Sequence, residues 1–95
     1  MNLTDAQLLE IQELAGLFLT SDEIAILMDI DIDQFVSVIA SQKGPVFKAY
    51  FRGKTESKKQ IRQNVVKMAK HGSPAAEEMV DNYILAQRNY EKRRQ

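Results

Sequence analysis

The sequence predicts an all-α protein with three short helices at its start, a long basic helix behind them and a last helix at its end. Three observations predict it. A helix-starting signature recurs three times within the first 35 residues. Gly44-Pro45 and Gly72-Ser73-Pro74 punctuate the rest at helix-ending and helix-starting positions. No stretch alternates apolar and polar residues in the way a half-buried strand would.

Each element follows from local chemistry. Thr4 is an N-cap with Gln7 three residues on, the reciprocal pairing of a capping box, and Leu3 and Leu8 occupy the positions of a hydrophobic staple. Leu8, Ile11, Leu14, Ala15 and Phe18 then follow helical spacing. Thr20 and Glu23 repeat the box, with Leu19 and Ile24 as the staple, and Ile24, Ala25, Leu27 and Met28 form the apolar face of the second helix. Asp31 and Gln34 make a third box, with Ile30 and Phe35 as the staple and Phe35, Val38 and Ile39 on one face. Each cap contributes about 1 kcal/mol.

Gly44-Pro45 is expected to end the third helix, because Gly suits the left-handed position after a helix and Pro cannot continue the ladder. A long helix is expected from about Val46 to His71, its buried stripe marked by Phe47, Tyr50, Phe51, Ile61, Val65, Met68 and Ala69. The stripe is blank between Arg52 and Gln60, which predicts either an exposed middle or a bend near Gly53. Gly72 closes this helix, Ser73 caps the next, and Pro74 takes the first helical position, where its missing N–H costs nothing. The last helix carries Met79, Val80, Tyr83, Ile84 and Tyr90 and is expected to fray over Glu91–Gln95. Residues 1–44 thus read as an acidic trihelical unit. Residues 45–95 read as a long helix plus a last helix of the same small domain, used for packing or oligomerisation.

The stretch from Ser21 to Phe35 has the spacing of a helix-turn-helix. Ala25 lies where two crossing helices approach most closely, and Ile24, Met28, Ile30, Phe35 and Val38 lie where the motif buries its core. Asp29 occupies the turn position that needs left-handed backbone, which Asp tolerates better than most residues. The third helix would then be the recognition helix, its N-terminal end toward the major groove. Its exposed positions read Asp31, Ile32, Asp33, Gln34, Ser37 and Ser41, with two carboxylates and no Lys or Arg.

The charge is sharply segregated. Residues 1–42 carry eight acids and no Lys or Arg, a net of −8, and residues 43–71 carry nine bases against Glu56 alone, a net of +8. Residues 72–95 hold four of each sign, so the whole chain sums to zero. Phosphate neutralisation by Lys and Arg supplies most non-specific DNA affinity, which makes the middle segment the candidate for contact with double-stranded DNA. Lys48, Arg52, Lys59 and Arg62, spaced four, seven and three apart, line one side of the long helix, and Lys54 and Lys58 widen the patch. The competing expectation is that these bases pair with the acidic head, within the chain or in a neighbouring copy. Equal and opposite surfaces suit a head-to-tail ring.

Catalysis finds no support in the residue types. Asp29, Asp31 and Asp33 resemble the opening of a calcium loop, but the sixth position is Gln34 instead of Gly and the twelfth is Ala40 instead of Glu. His71 is the one histidine, and there is no cysteine for a thiolate site or a disulfide. Glu77 and Glu78 are adjacent and point apart, and no phosphate-binding glycine loop or nucleophile–base set is present. Tyr50, Phe51, Tyr83 and Tyr90 fall at core spacing, which reads as packing before base stacking. The expectation is no enzyme, no metal and no cofactor. No membrane span or signal peptide is evident either, so a soluble protein of the cytoplasm is expected.

The run from Leu19 to Ile30 is similar to the helix-turn-helix of phage and prophage small terminase subunits. Phe47-Lys48-Ala49-Tyr50-Phe51-Arg52-Gly53-Lys54 resembles that group's aromatic, Tyr, basic-Gly-basic segment. Arg62, Val65, Val66, Met68, Ala69 and Gly72-Ser73-Pro74-Ala75-Ala76 resemble its junction into a final helix, so the likeness covers roughly residues 3–86. The resemblance implies a DNA-packaging protein of the host-cell cytoplasm that recognises viral DNA, assembles into a homo-oligomeric ring and engages a large terminase. The alternative is a structural or protein-interaction module, a virion or adaptor component, that uses the helix-turn-helix as a scaffold without DNA binding.

Overall fold

A computed structural model describes residues 1–94. Five helices make it all-α: α1 (Asp5–Ala15), α2 (Ser21–Leu27), α3 (Ile32–Ser41), α4 (Gly44–Lys70) and α5 (Pro74–Arg94). The chain divides into two compact units, Met1–Lys58 and the residues from Lys59 onward. The first unit therefore runs past the expected boundary at residue 44 and takes in half of α4.

The helix starts are where the caps put them. Thr4 and Thr20 form complete capping boxes with Gln7 and Glu23, the hydroxyl of each accepting the N–H three residues on. Asp31 forms half of one: its Oδ1 accepts the Gln34 N–H at 2.9 Å, and the Gln34 side chain does not return the bond. At the end of α2, Asp29 adopts φ 55°, while the Ile30 N–H donates to the Ala25 carbonyl at 2.9 Å and the Asp29 N–H to the Ile26 carbonyl at 3.3 Å. That pair of bonds is a Schellman motif built on Asp instead of Gly. It turns the chain into α3 within four residues. A second Schellman motif, on Gly72 with φ 94°, ends α4 through Ser73 N–H to Met68 C=O and Gly72 N–H to Ala69 C=O.

The core of the first unit is Ile11 and Ala15 from α1, Ile24 and Ala25 from α2, Phe35 from α3, and Val46 and Ala49 from α4. Leu3, Leu8, Leu14, Met28, Ile30, Val38, Ile39 and Tyr50 pack around it. Ala25, expected at the closest approach of two helices, is fully buried.

Several expectations change. Helix α3 ends on Gln42, with φ 57°; Gly44 also takes positive φ, 89°, but as the first residue of α4, so Pro45 sits in the first turn of that helix. Most of the blank stretch of α4 is exposed, as one of the two expectations had it, and the helix is continuous through it, but Gly53 is buried. A Cβ at Gly53 would lie 2.0 Å from the Gln12 carbonyl oxygen, and one at Gly16 would lie 2.8 Å from Ser57 Oγ. In that stretch α4 packs on α1 through small residues, which an apolar-periodicity reading cannot register.

Phe18, Leu27, Phe51, Ile61, Met68, Met79, Ile84 and Tyr90 were expected in the core and are exposed. Helix α1 ends at Ala15 and Phe18 follows in a left-handed turn (φ 62°), which removes it from the α1 face. Leu27 is the last residue of a seven-residue helix whose buried positions are Ile24 and Ala25. The α4 residues that face the head are Val46, Ala49 and Gly53, so Phe51 points elsewhere. In the second unit Ala76 is the one fully packed apolar residue among those described, because two helices can cover one stripe each and little more. Helix α5 continues through Glu91 to Arg94 where fraying was expected; Gln95 lies outside the described residues.

Candidate nucleic-acid interface

All six basic residues singled out from the sequence lie on α4. In the first unit, Lys48, Arg52 and Lys58 are exposed and Lys54 is half-buried. Arg52 Nε donates to Glu56 Oε1 at 2.8 Å, one helical turn on, and Gln12 Nε2 of α1 donates to the other oxygen of Glu56 at 3.3 Å. The pair is well exposed, with 71% of the Arg52 side chain in solvent. Pairs of this kind contribute roughly 0–1 kcal/mol. Glu56 therefore steadies the Arg52 stem at little cost to its availability. Lys54 lies over the Tyr50 ring, Nζ 5.1 Å from its centroid, which accounts for its partial burial.

In the second unit Lys59 is exposed, and Arg62 is half-buried with Cζ 4.1 Å from the centroid of the Tyr83 ring. The cation–π contact holds the guanidinium against the Tyr83 ring of α5. Tyr50 and Tyr83 are thus half-buried rings each carrying a cation, and Phe51 and Tyr90 are the aromatics left in solvent.

Lys67 and Lys70 were counted in the charge but not placed in the patch. They line, with Lys59, Arg62 and Val66, a shallow groove of about 620 Å³ along one face of α4. Their spacing of eight and eleven residues from Lys59 was the available signal.

The acidic head faces solvent. Asp22, Asp29, Asp31, Asp33, Gln34, Ser37 and Ser41 are all exposed, as is Ile32. Among the described residues the ion pair formed is Arg52–Glu56, with both partners on α4. Within the first unit, no ion pair among the described residues joins a head carboxylate to an α4 base. No three His, Cys, Asp or Glu gather in a metal-holding cluster among the described residues, and no described helix is long and apolar enough to cross a membrane.

Compared with family models, curated proteins and solved structures, the chain matches none of them.

Proposed function

We propose that this is a non-catalytic DNA-handling protein of a phage or prophage, a small terminase-like subunit that holds double-stranded DNA through the phosphates. The observation that carries the reading is the run of bases on α4, most of them exposed, which among the described residues form one ion pair, Arg52 with Glu56. The assigned residues are Lys48, Arg52, Lys54 and Lys58 in the first unit and Lys59 and Arg62 in the second. The α2–turn–α3 segment is read as a helix-turn-helix, supported by the left-handed Asp29 and the buried Ala25. Its exposed carboxylates would meet a polyanion unfavourably, so the motif serves as a scaffold and α4 makes the contact. The pattern similarity to small terminase subunits supports a homo-oligomer in the host-cell cytoplasm, with a large terminase as partner.

The test is fluorescence anisotropy of a labelled duplex at low salt. Binding that is lost on Lys58→Glu with Lys59→Glu supports the reading, and absence of binding at low salt rejects it. A second reading, an interaction module without DNA affinity, is favoured by the exposed apolar residues Ile26, Leu27 and Phe51. It predicts an oligomer that ignores the duplex.

A further inference from the structure

We propose that the aromatic face of α4 in the first unit docks the acid-rimmed apolar surface of α2 and α3 on a second copy of the chain. This names the surfaces for the self-association in the proposed function, rests on that part of it, and does not depend on DNA binding. Phe51 is 55% exposed at the centre of the basic patch. Its ring stacks on Phe47 with centroids 5.5 Å apart, and the two rings line a groove of about 460 Å³ with Lys48 and Arg52 beside them. Phosphate contact makes no use of an exposed phenyl ring. Protein interfaces do, and aromatic and Arg side chains dominate their energetics.

The complementary surface lies within residues 22–33. Ile26 and Leu27 are 61% and 58% exposed, Ile32 is 37% exposed, and Asp22, Asp29 and Asp33 stand exposed around them in sequence. Among the described residues none of these three carboxylates makes a salt bridge, whereas Glu23 and Asp31 are occupied as helix caps. Residues 1–42 contain no base that could serve them. The head segment offers exposed apolar residues flanked in sequence by acids, and α4 offers exposed rings beside Lys48 and Arg52, with Glu56 already paired to Arg52, so charge complementarity selects each as the other's partner. Different surfaces meeting in this way make a heterologous contact, which closes into a ring or runs on as a filament.

The experiment uses two full-length variants, Asp22→Lys with Asp33→Lys on the head and Lys48→Glu with Arg52→Glu on α4. Sedimentation velocity is run on each alone and on an equimolar mixture at low salt. The parent is expected to be oligomeric and each variant to fall to the 10.8 kDa monomer. The mixture is expected to reassemble beyond the monomer, because an intact head meets an intact helix and the Lys-bearing head meets the Glu-bearing helix with the charges exchanged. Recovery on mixing also shows that neither variant has unfolded. A monomeric parent, variants that assemble like the parent, or a mixture that stays monomeric would each overturn the proposal. The parent's duplex binding, read separately by anisotropy, distinguishes failure of the DNA reading from failure of this one, since the two Lys added in the head variant would themselves attract phosphate.

Discussion

Gly53 shows how a single missing side chain sets the approach of two helices. The atom nearest a Cβ there is the Gln12 carbonyl oxygen at 2.0 Å, with the carbonyl carbon at 2.8 Å, and both belong to backbone that cannot rotate aside. Overpacking costs about 1–3 kcal/mol, and the gain of up to about 1 kcal/mol from replacing a helical Gly by Ala offsets only part of it. Gly53→Ala is therefore expected to lower unfolding free energy by about 2 kcal/mol in a urea titration. Gly16→Ala meets the rotatable Ser57 hydroxyl at 2.8 Å and should cost less than Gly53→Ala. Equal losses would contradict the α1–α4 contact described here. Phe35, fully buried and the largest side chain of the core, sits at the other extreme. Its replacement by Ala is expected to cost about 3–5 kcal/mol, enough to unfold much of a small domain.

At the scale of elements, the helix starts rest on hydrogen bonds that the sequence displays openly. Removing the Thr20 hydroxyl with Thr20→Ala should cost about 1 kcal/mol of stability by thermal or urea denaturation, within the usual range for N-caps. No change would mean that the box at α2 contributes nothing. Capping residues could be read in advance because their chemistry is local: Thr4 with Gln7 and Thr20 with Glu23 span three residues each. Asp29 was legible for the same reason, as a turn residue tolerant of φ > 0. What stayed hidden depends on distant parts of the chain. The α4 face that meets the head is made of Val46, Ala49 and Gly53 with Tyr50 packed at its edge, and the bulky Phe47 and Phe51 drew the periodicity away from it. Of the candidate site, the identity of the six bases and their common helix were legible. The Gln12 bond to Glu56 and the ring beneath Arg62 were not, since Gln12 and Tyr83 lie far away in sequence; the Arg52–Glu56 pair and the Tyr50 ring under Lys54 lie four residues apart, a local signal that sequence reasoning missed.

For the whole molecule, the governing feature is a −8 head and a +8 middle segment in a chain of zero net charge. Among the described residues no ion pair joins the two, so each stays available to something outside the chain. Exposed charge of this kind acts over about 8–10 Å at physiological salt and weakens as salt rises. Both DNA contact and head-to-helix association should therefore be strongest at low ionic strength. The central claim is that α4 holds DNA phosphates through six Lys and Arg side chains. Counterion release gives such a complex a slope of log K against log salt of about −5 if all six bases engage. The most direct measurement is that slope, obtained by anisotropy on a duplex for the parent and for Lys58→Ala with Lys59→Ala. A slope near −5 that becomes shallower by about 2 in the variant is the expected result; a duplex that does not bind at low salt, or a slope the variant leaves unchanged, would contradict the account.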